Sequence, residues 1–144
     1  MLTDTTPYEQ PLGNELVLRS LSDRDDVERL ATFNGVIHDP DVADMTRELI
    51  LHHPHTRPEH WLYVEDLRSG QIVSSLCLIP WQLRYGEVRL KAGEMGIIGT
   101  LETYRHRGLI RAQAARHHAL LQEGGYDLSH IQGIPYFYRQ FGYE

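Results

Sequence analysis

The spacing of apolar residues predicts one strand and two helices in the first third of the chain. Positions 15–21 alternate between apolar and polar residues, which is typical of a strand. Positions 27–37 then carry an apolar stripe at helical spacing, for which Ser22 and Asp25 supply an N-cap and a weak capping box. After an Asp-Pro-Asp break, a second, short helix is predicted over 42–52.

The middle of the chain has the pattern of an antiparallel run of strands. Two strand-like segments, 59–67 and 71–80, flank the turn signal Arg68-Ser69-Gly70 and predict a hairpin. A further ribbon is expected over 81–91, and 93–101 is predicted as the strand that follows. The run therefore contains three or four strands.

The last third of the chain returns to a helical period. An Ala-rich helix is predicted over 111–123, and Gly124-Gly125 is a strong signal for its end. A short strand over 128–133 and a short aromatic helix over 135–140 follow. Because the Ala-rich helix lies between two strands, it makes a crossover connection, and the whole order predicts one mixed sheet flanked by helices.

A basic turn with one glycine joins the strand at 93–101 to the Ala-rich helix. Its sequence is Tyr104-Arg105-His106-Arg107-Gly108-Leu109-Ile110-Arg111. The first N–H groups of a helix have no partners within the helix, and the helix dipole adds roughly +0.5 charge there. The pattern predicts a site for a phosphate-bearing ligand. The alternative is that Gly108 only relieves a tight turn and that the arginines are solvated.

Composition narrows the class of protein. The 144 residues suffice for one domain, with residues 1–14 as a flexible leader. A general nucleic-acid binder is usually basic, so the net charge of −6 argues against that class. The positive charge of this chain is instead concentrated at the basic turn. No apolar run reaches the about 18 residues of a membrane span. No secretory signal is visible either, so a cytoplasmic protein is expected.

The lone cysteine and a cluster of histidines are further candidates for chemistry. Cys77 lies within an apolar run, which predicts a buried thiol rather than a nucleophile. Four histidines surround Pro54 and Pro58, but their spacing fits no standard zinc site and no cysteine joins them, so no metal is expected. They are His52, His53, His55 and His60.

Two motifs resemble those of the GCN5-related N-acetyltransferase (GNAT) superfamily. The pattern [Gln/Arg]-x-x-Gly-x-[Gly/Ala] is matched at Arg105 and Gly108 but not at Ile110. The pattern Phe-Tyr-x-x-x-Gly-[Phe/Tyr] is matched at Phe137, Tyr138, Gly142 and Tyr143. An aliphatic residue at position 110 is similar to the enhanced-intracellular-survival-type branch, whose members usually carry further domains.

The resemblance covers about residues 16–144 and implies a fold, a donor and an acceptor. The fold is α/β, with a mostly antiparallel central sheet and a splayed strand pair at the acyl-CoA site. The implied domain, 15–144, lacks the family's final strand. Acetyl-CoA is implied as co-substrate, and a small-molecule or peptide amine as acceptor. The residues implied to bind acetyl-CoA are Ile98, Gly99, Thr100, Leu101, Arg105, His106, Arg107, Gly108, Leu109 and Ile110.

The resemblance also assigns two catalytic roles. Tyr138 matches the tyrosine that protonates the departing thiolate, with membership of an aromatic core as the alternative. Glu94 lies eleven residues before Arg105, the spacing of the catalytic base in the histone-acetyltransferase branch, with a solvated strand-end glutamate as the alternative. Strict strand alternation predicts that Glu94, Gly96, Ile98 and Thr100 share one face of the sheet.

Acceptor contacts are expected from the segment between the first two helices and from the ribbon, although ordinary packing is the more common role of such residues. The candidates are His38, Asp39, Trp81, Tyr85 and Glu87. With no cysteine placed to form an acyl-enzyme, direct transfer in a ternary complex is favoured. Two other hypotheses are a catalytically silent acyl-CoA-binding module and an interaction domain that shares its terminal strand. A homodimer is compatible with all three.

Overall fold

The computed structural model describes residues 6–134 and 136–144, and the protein forms a single six-stranded sheet with helices on both faces. The strands are β1 (Glu9–Gly13), β2 (Leu16–Ser20), β3 (Trp61–Asp66), β4 (Gln71–Tyr85), β5 (Val88–Thr100) and β6 (Leu128–His130). The α-helices are α1 (Arg24–Ile37), α2 (Pro40–His52) and α3 (Leu109–Glu123). Short 3₁₀ turns cover Pro58–His60, Glu102–Tyr104 and Phe137–Phe141.

The strands are arranged in the order in which they occur in the chain. Each neighbouring pair is antiparallel except β5 and β6, which are parallel and joined by α3. The predicted mixed, mostly antiparallel sheet flanked by helices is therefore confirmed. The predicted ribbon at 81–91 is the outer part of one long β4–β5 hairpin, because pairing continues from Ser74–Thr100 to Tyr85–Val88.

Alternate residues of the strands point into two separate hydrophobic cores, one on each face of the sheet. Leu62 and Val64 of β3 point towards α3, where they pack with Leu109 and other apolar side chains. Their neighbours Trp61 and Tyr63 point the opposite way, into a cluster built with α1 and α2. This period of two is what a sheet buried on both faces requires.

Two details at the start of the chain differ from the sequence-based expectation. Residues 9–13, predicted as part of a flexible leader, form β1 and pair with β2, while residues 1–5 lie outside the described residues. The N-cap of α1 is Asp23, whose carboxylate accepts from the Asp26 N–H, rather than Ser22. The Ser22 hydroxyl instead donates to the Asp26 carboxylate over 2.7 Å.

α2 begins within the Asp-Pro-Asp segment that was predicted as a break between the two helices. Asp39 is the N-cap, its carboxylate accepting from the Val42 N–H, and Pro40 is the first helical residue. Proline is suited to that position because its missing N–H would have no partner there. Two residues, His38 and Asp39, separate the helices, so α2 follows α1 almost at once.

A buried polar chain fixes both helices on the sheet. The Asn34 side chain of α1 donates to Thr46 of α2 over 3.0 Å and accepts from Ser75 of β4 over 3.0 Å. All three residues are buried. A buried polar group without a hydrogen-bond partner destabilises the fold, so this fully bonded network favours one position of α1 and α2 on the sheet.

Candidate active site

The sheet opens at the C-terminal half of β5. Pairing with β6 covers three rungs only, Ala92–Leu128, Gly93–Ser129 and Glu94–His130. On its other side β5 stays paired with β4 as far as Thr100. Within the part of the chain that the structure describes, residues 95–100 therefore present one edge with no strand against it, which is the splayed pair that the family resemblance implied.

A β-bulge lies in the middle of this open segment. Gly96 pairs with Cys77 and Gly99 pairs with Ser75, so the two residues Ile97 and Ile98 stand opposite the single residue between Ser75 and Cys77. Ile97 has a φ of +48°. A β-branched residue in the left-handed region is strained by about 1–3 kcal/mol, and such outliers concentrate at functional sites. The sequence carries no signal for it, since neither residue is glycine or asparagine.

The bulge changes which residues share a face. Gly96 faces the α1 side, where an added Cβ would contact Ile79 and Cys77. Ile98 packs in the α3 core, and Thr100 bonds through its hydroxyl to Ser74, which in turn accepts from Gln113 of α3. The expectation that Glu94, Gly96, Ile98 and Thr100 share one face is therefore wrong, because the extra residue reverses the alternation.

Backbone N–H groups of the open segment alternate between the two edges of β5. The Leu101 N–H donates to Val73 on the β4 side over 2.9 Å, so it is already engaged. Because successive N–H groups of a strand point in opposite directions, that of Thr100 points to the open edge. Of the four residues predicted to line this edge, Leu101 thus offers no backbone donor, and Thr100 does.

The basic turn leads directly from this edge into α3. Gly108 is the N-cap, with a φ of +74° and no side-chain cap, and His106 is also left-handed at +63°. Throughout 6–134 and 136–144, no N–H of residues 106–111 donates to a protein acceptor. Arg105, Arg107 and Arg111 are exposed around them. These are the features of an anion site: free amides, a helix N-terminus and exposed cations.

Contacts from the sheet hold this turn in place. The Tyr104 hydroxyl donates to the buried Asp66 carboxylate at the end of β3 over 2.7 Å, which lowers the pKa of Asp66. The Arg107 guanidinium lies 4.8 Å from the centre of the Tyr104 ring and donates to the Thr103 carbonyl. Contacts thus hold Tyr104 at both its ring and its hydroxyl. They fix the position at which the basic turn begins.

Glu94 lies where the sheet opens, on the α1 side. Its carboxylate accepts from the Trp81 indole N–H over 2.8 Å, and His130 Nε2 is 3.8 Å away. The α1–α2 corner reaches the same opening, because a Cβ on Gly99 would lie 3.6 Å from His38 Nε2. Sequence reasoning missed His130, since only the parallel register of β6 places it opposite Glu94.

The other acceptor candidates are placed elsewhere. The Asp39 carboxylate is engaged in capping α2, and Tyr85 and Glu87 are exposed at the tip of the β4–β5 hairpin. His38 and Trp81 are therefore the members of the predicted set that the fold brings to the open segment of β5 and to Glu94.

Tyr138 lies in the C-terminal 3₁₀ turn. Its ring packs on Gly133, where an added Cβ would collide with it, and meets Phe137 edge-on at 4.9 Å. It lines a cavity of about 290 Å³, and burial raises the pKa of its phenol. Nearby, the Tyr143 hydroxyl is hydrogen-bonded to Ser129 of β6 over 2.6 Å, which ties this turn to the sheet. Pro135, predicted within the same short helix, lies outside the described residues.

Cys77 and the histidine cluster do not join these residues. Cys77 is 1% exposed, and burial raises the pKa of its thiol. Among residues 6–134 and 136–144, no three histidine, cysteine or acidic side chains are grouped as metal ligands would be. Over the same residues, no helix combines the length and apolar character needed to cross a bilayer.

Comparison with protein families identifies the class. The family profile described as Acetyltransferase (GNAT) domain matches residues 18–144, which is most of the chain. The chain therefore belongs to the GNAT acetyltransferase family. No curated protein sequence matches it.

Solved structures share the fold at low sequence identity. GNAT family N-acetyltransferase YhbS from Escherichia coli, in complex with CoA, has a TM-score of 0.74 at 21% identity over 100% of this chain and 73% of that chain. A probable N-acyltransferase from Enterococcus faecalis V583 has a TM-score of 0.70 at 19% identity, covering 88% of this chain and 32% of its own. Eis1 from Mycobacterium abscessus has a TM-score of 0.66 at 19% identity, covering 88% and 30%. The chain thus spans about a third of the length of the last two proteins.

Proposed function

We propose that this protein transfers the acetyl group of acetyl-CoA directly to a primary amine within a ternary complex. The observation that carries the proposal is the continuity of two features: the open edge of β5 leads straight into a turn whose amide N–H groups have no acceptor among the described residues. One extended ligand with a diphosphate at one end and hydrogen-bonding amides along its length matches both.

The residues of the turn fit the diphosphate of CoA. The amides of residues 106–111 supply donors and the dipole of α3 supplies positive potential, while Arg105 and Arg107 are exposed to add charge. Gly108 leaves the approach open, since nothing lies within 4 Å of the position that its Cβ would take. The pantetheine arm would then run along residues 98–101, where the Thr100 N–H is available.

A fixed amide donor on this edge would lower the barrier for acyl transfer. As the amine attacks, the thioester oxygen gains negative charge, and a donor that is already oriented stabilises it without reorganisation. The bulge at Ile97 and Ile98 bends the strand beside that donor. Alignment of amine and thioester would supply much of the remaining rate enhancement.

Glu94 is the proposed general base. The amine must lose a proton to become a nucleophile, and Glu94 is held by Trp81 on the α1 side of the opening, the side that His38 also reaches. His130, 3.8 Å from the carboxylate, is placed to relay the proton. The acceptor would accordingly enter between the α1–α2 corner and the β4–β5 hairpin.

Tyr138 is the proposed general acid for the departing thiolate. Burial raises the pKa of its phenol, which keeps the proton on the oxygen at neutral pH. The bond from nitrogen to the acetyl carbon forms, the carbon–sulfur bond breaks, and the phenol proton passes to sulfur. A small cationic amine is the favoured acceptor because the chain carries a net charge of −6.

The test combines binding with turnover. Release of the CoA thiol is followed with acetyl-CoA across a panel of amines, and CoA binding is measured by calorimetry for wild type, Gly108→Val and Gly86→Val. Both glycines have positive φ, +74° and +61°, and open space around them, so both variants cost roughly 1–2 kcal/mol of backbone strain. Only Gly108→Val is expected to abolish CoA binding.

Each outcome is decisive for one alternative. Amine-dependent thiol release supports the transferase. CoA binding without release for any amine in the panel overturns the transferase in favour of a silent acyl-CoA-binding module. Equal CoA affinity in Gly108→Val and wild type would refute the diphosphate site itself.

A further inference from the structure

One cavity of the described residues does not belong to the proposed active site. It measures about 820 Å³ and lies between the segment before β3, the β4–β5 hairpin and the C-terminal end of α3. Its walls include His60, Arg89, Lys91 and Tyr126. The N-cap Gly108 and the open edge of β5 are absent from its lining.

The cavity and the basic turn stand at opposite ends of α3. The helix has 15 residues, and at 1.5 Å per residue it separates its two ends by roughly 22 Å. The cavity also lies on the α3 side of the hairpin, where Lys91 bonds to the Gly124 carbonyl and lies over Tyr126. Glu94 points to the other side, so an acceptor at Glu94 would not fill this space.

His60 directs a hydrogen-bond donor towards the cavity. The residue is 8% exposed, and its Nδ1 accepts from the Arg57 N–H over 3.2 Å. The proton of the neutral ring is therefore on Nε2. In the part of the chain that the structure describes, Nε2 has no protein acceptor, yet it is not sealed from solvent. Burial lowers the pKa of His60 to about 4, so the ring remains a neutral donor.

The cavity lining carries three acidic and three basic side chains, and the ion pairs that they make leave one positive charge in excess. Asp127 is engaged by the Lys91 backbone N–H, Glu123 by Arg116, and Glu59 lies 3.8 Å from Arg57. Across 6–134 and 136–144, Arg89 has no ion pair, and the Lys91 ammonium bonds a carbonyl rather than an acid. The charged groups of the lining without a partner of opposite charge among the described residues are thus Arg89, Lys91 and Asp127, and the His60 donor lies beside them.

We propose that this cavity is a second small-molecule site, which binds an organic carboxylate with an apolar body. The carboxylate would accept from His60 Nε2 and pair with Arg89 and Lys91, and the body would pack on Tyr126 and Leu120, which also line the cavity. The site is independent of acetyl transfer, so it stands whether or not the enzyme assignment holds.

The probes are phenylacetate and its neutral isostere phenylacetamide, each titrated into the full chain by calorimetry with thermal shift as a second readout. Wild type is compared with Arg89→Gln and with Arg84→Gln, which removes an equally exposed arginine paired with Arg89 across the hairpin but outside the cavity lining. His60→Leu is the variant for the buried donor.

Wild type and Arg84→Gln are expected to bind phenylacetate equally, and to bind phenylacetamide at least about tenfold more weakly, since a charged hydrogen bond is lost. We expect Arg89→Gln to lower the affinity for phenylacetate by about tenfold, and His60→Leu to lower it by about fivefold. CoA at saturation should leave these affinities unchanged. Absence of phenylacetate binding to wild type, equal affinity in Arg89→Gln, or competition with CoA would each overturn the proposal. If His60→Leu does not fold, Arg89→Gln decides alone.

Discussion

Glu94 and His130 stand opposite each other on the last rung that joins β5 to β6, with His130 Nε2 3.8 Å from Glu94 Oε1. The same oxygen accepts from the Trp81 indole. A carboxylate and an imidazole thus meet where the two strands part, one on each side of the gap. In the proposed mechanism, this pair would carry a proton from the opening of the sheet to the neighbouring strand.

Replacing Glu94 by Gln tests this route. The amide keeps the size of the side chain and can still accept from Trp81, but it takes no proton. We expect kcat to fall by about 10²-fold, the usual contribution of a general base, with little change in KM for acetyl-CoA. Steady-state rates across pH measure it, with Glu87→Gln at the hairpin tip as the matched control. Equal losses in both variants would remove Glu94 from the mechanism.

Deleting Ile97 tests the bulge. Without it, Ile98 would stand opposite Leu76, while Gly96–Cys77 and Gly99–Ser75 would keep their present pairing. The strain at a φ of +48° would also disappear. We expect a folded protein with an undiminished melting temperature and loss of acetyl transfer, measured by calorimetry and thiol release. Full activity of the deletion variant would show that the bulge has no role in transfer.

Replacing Tyr138 by Phe tests the proton donor. Thiolate is a fair leaving group, so we expect a modest loss of kcat, about 10–100-fold. The high-pH limb of the rate profile should also change, because burial raises the pKa of this phenol above its ordinary value. Tyr136→Phe is the control, since Tyr136 lies two residues away and is 74% exposed. An unchanged turnover at every pH would contradict the assignment.

Two buried histidines predict how stability depends on pH. Burial lowers the pKa of His60 to about 4 and that of His117 to about 3, from about 6.5 in the unfolded chain. Below pH 6.5 the unfolded chain therefore binds protons that the folded chain does not. The free energy of unfolding should fall as pH falls, approaching about 1.4 kcal/mol per pH unit for each histidine.

Urea unfolding between pH 6.5 and 5 measures this slope before most carboxylates titrate. His117→Leu should remove the contribution of one histidine to this slope. Among the described residues, both ring nitrogens of His117 are buried without a hydrogen-bond partner, which disfavours the charged ring. His52→Gln, a change at an exposed residue, is the control and should retain the slope. A His117→Leu slope equal to that of wild type would refute the prediction.

The buried thiol predicts how the protein behaves in thiol-based assays. Cys77 is the one cysteine of the chain, is 1% exposed and donates weakly to the Gly96 carbonyl over 3.4 Å. A chromogenic disulfide reagent should react negligibly with the folded protein over minutes and with one equivalent in denaturant. Cys77→Ser should leave acetyl transfer intact. Fast labelling of the folded protein would instead indicate an accessible thiol.

Most of the fold was predictable from local pattern. The turn at Arg68-Ser69-Gly70, the glycine pair after α3 and the alternation over 15–21, which contains β2, each specify an element by chemistry that acts over a few residues. Gly108 was predictable for the same reason, because its left-handed φ and its place before a helix are local properties. The element order then limits the topology to few choices.

What the sequence could not reveal depends on register between distant segments. The face assignment at Ile98 and Thr100 failed because a bulge formed from two isoleucines has no composition signal. His130 was missed because its position opposite Glu94 follows from three parallel rungs that no local pattern specifies. β1 was predicted as a leader because a polar edge strand gains its order from pairing with β2 and not from burial.

The contact between Gly99 and Ile37 limits how this scaffold could be engineered. A side chain at position 99 would clash with Ile37. α1 cannot move away, because the hydrogen bonds of Asn34 hold it to Thr46 and Ser75. Directed evolution for bulkier acceptors should therefore leave this wall unaltered. Productive substitutions should instead accumulate at His38 and along the β4–β5 hairpin, where they would leave the packing of α1 on the sheet unchanged.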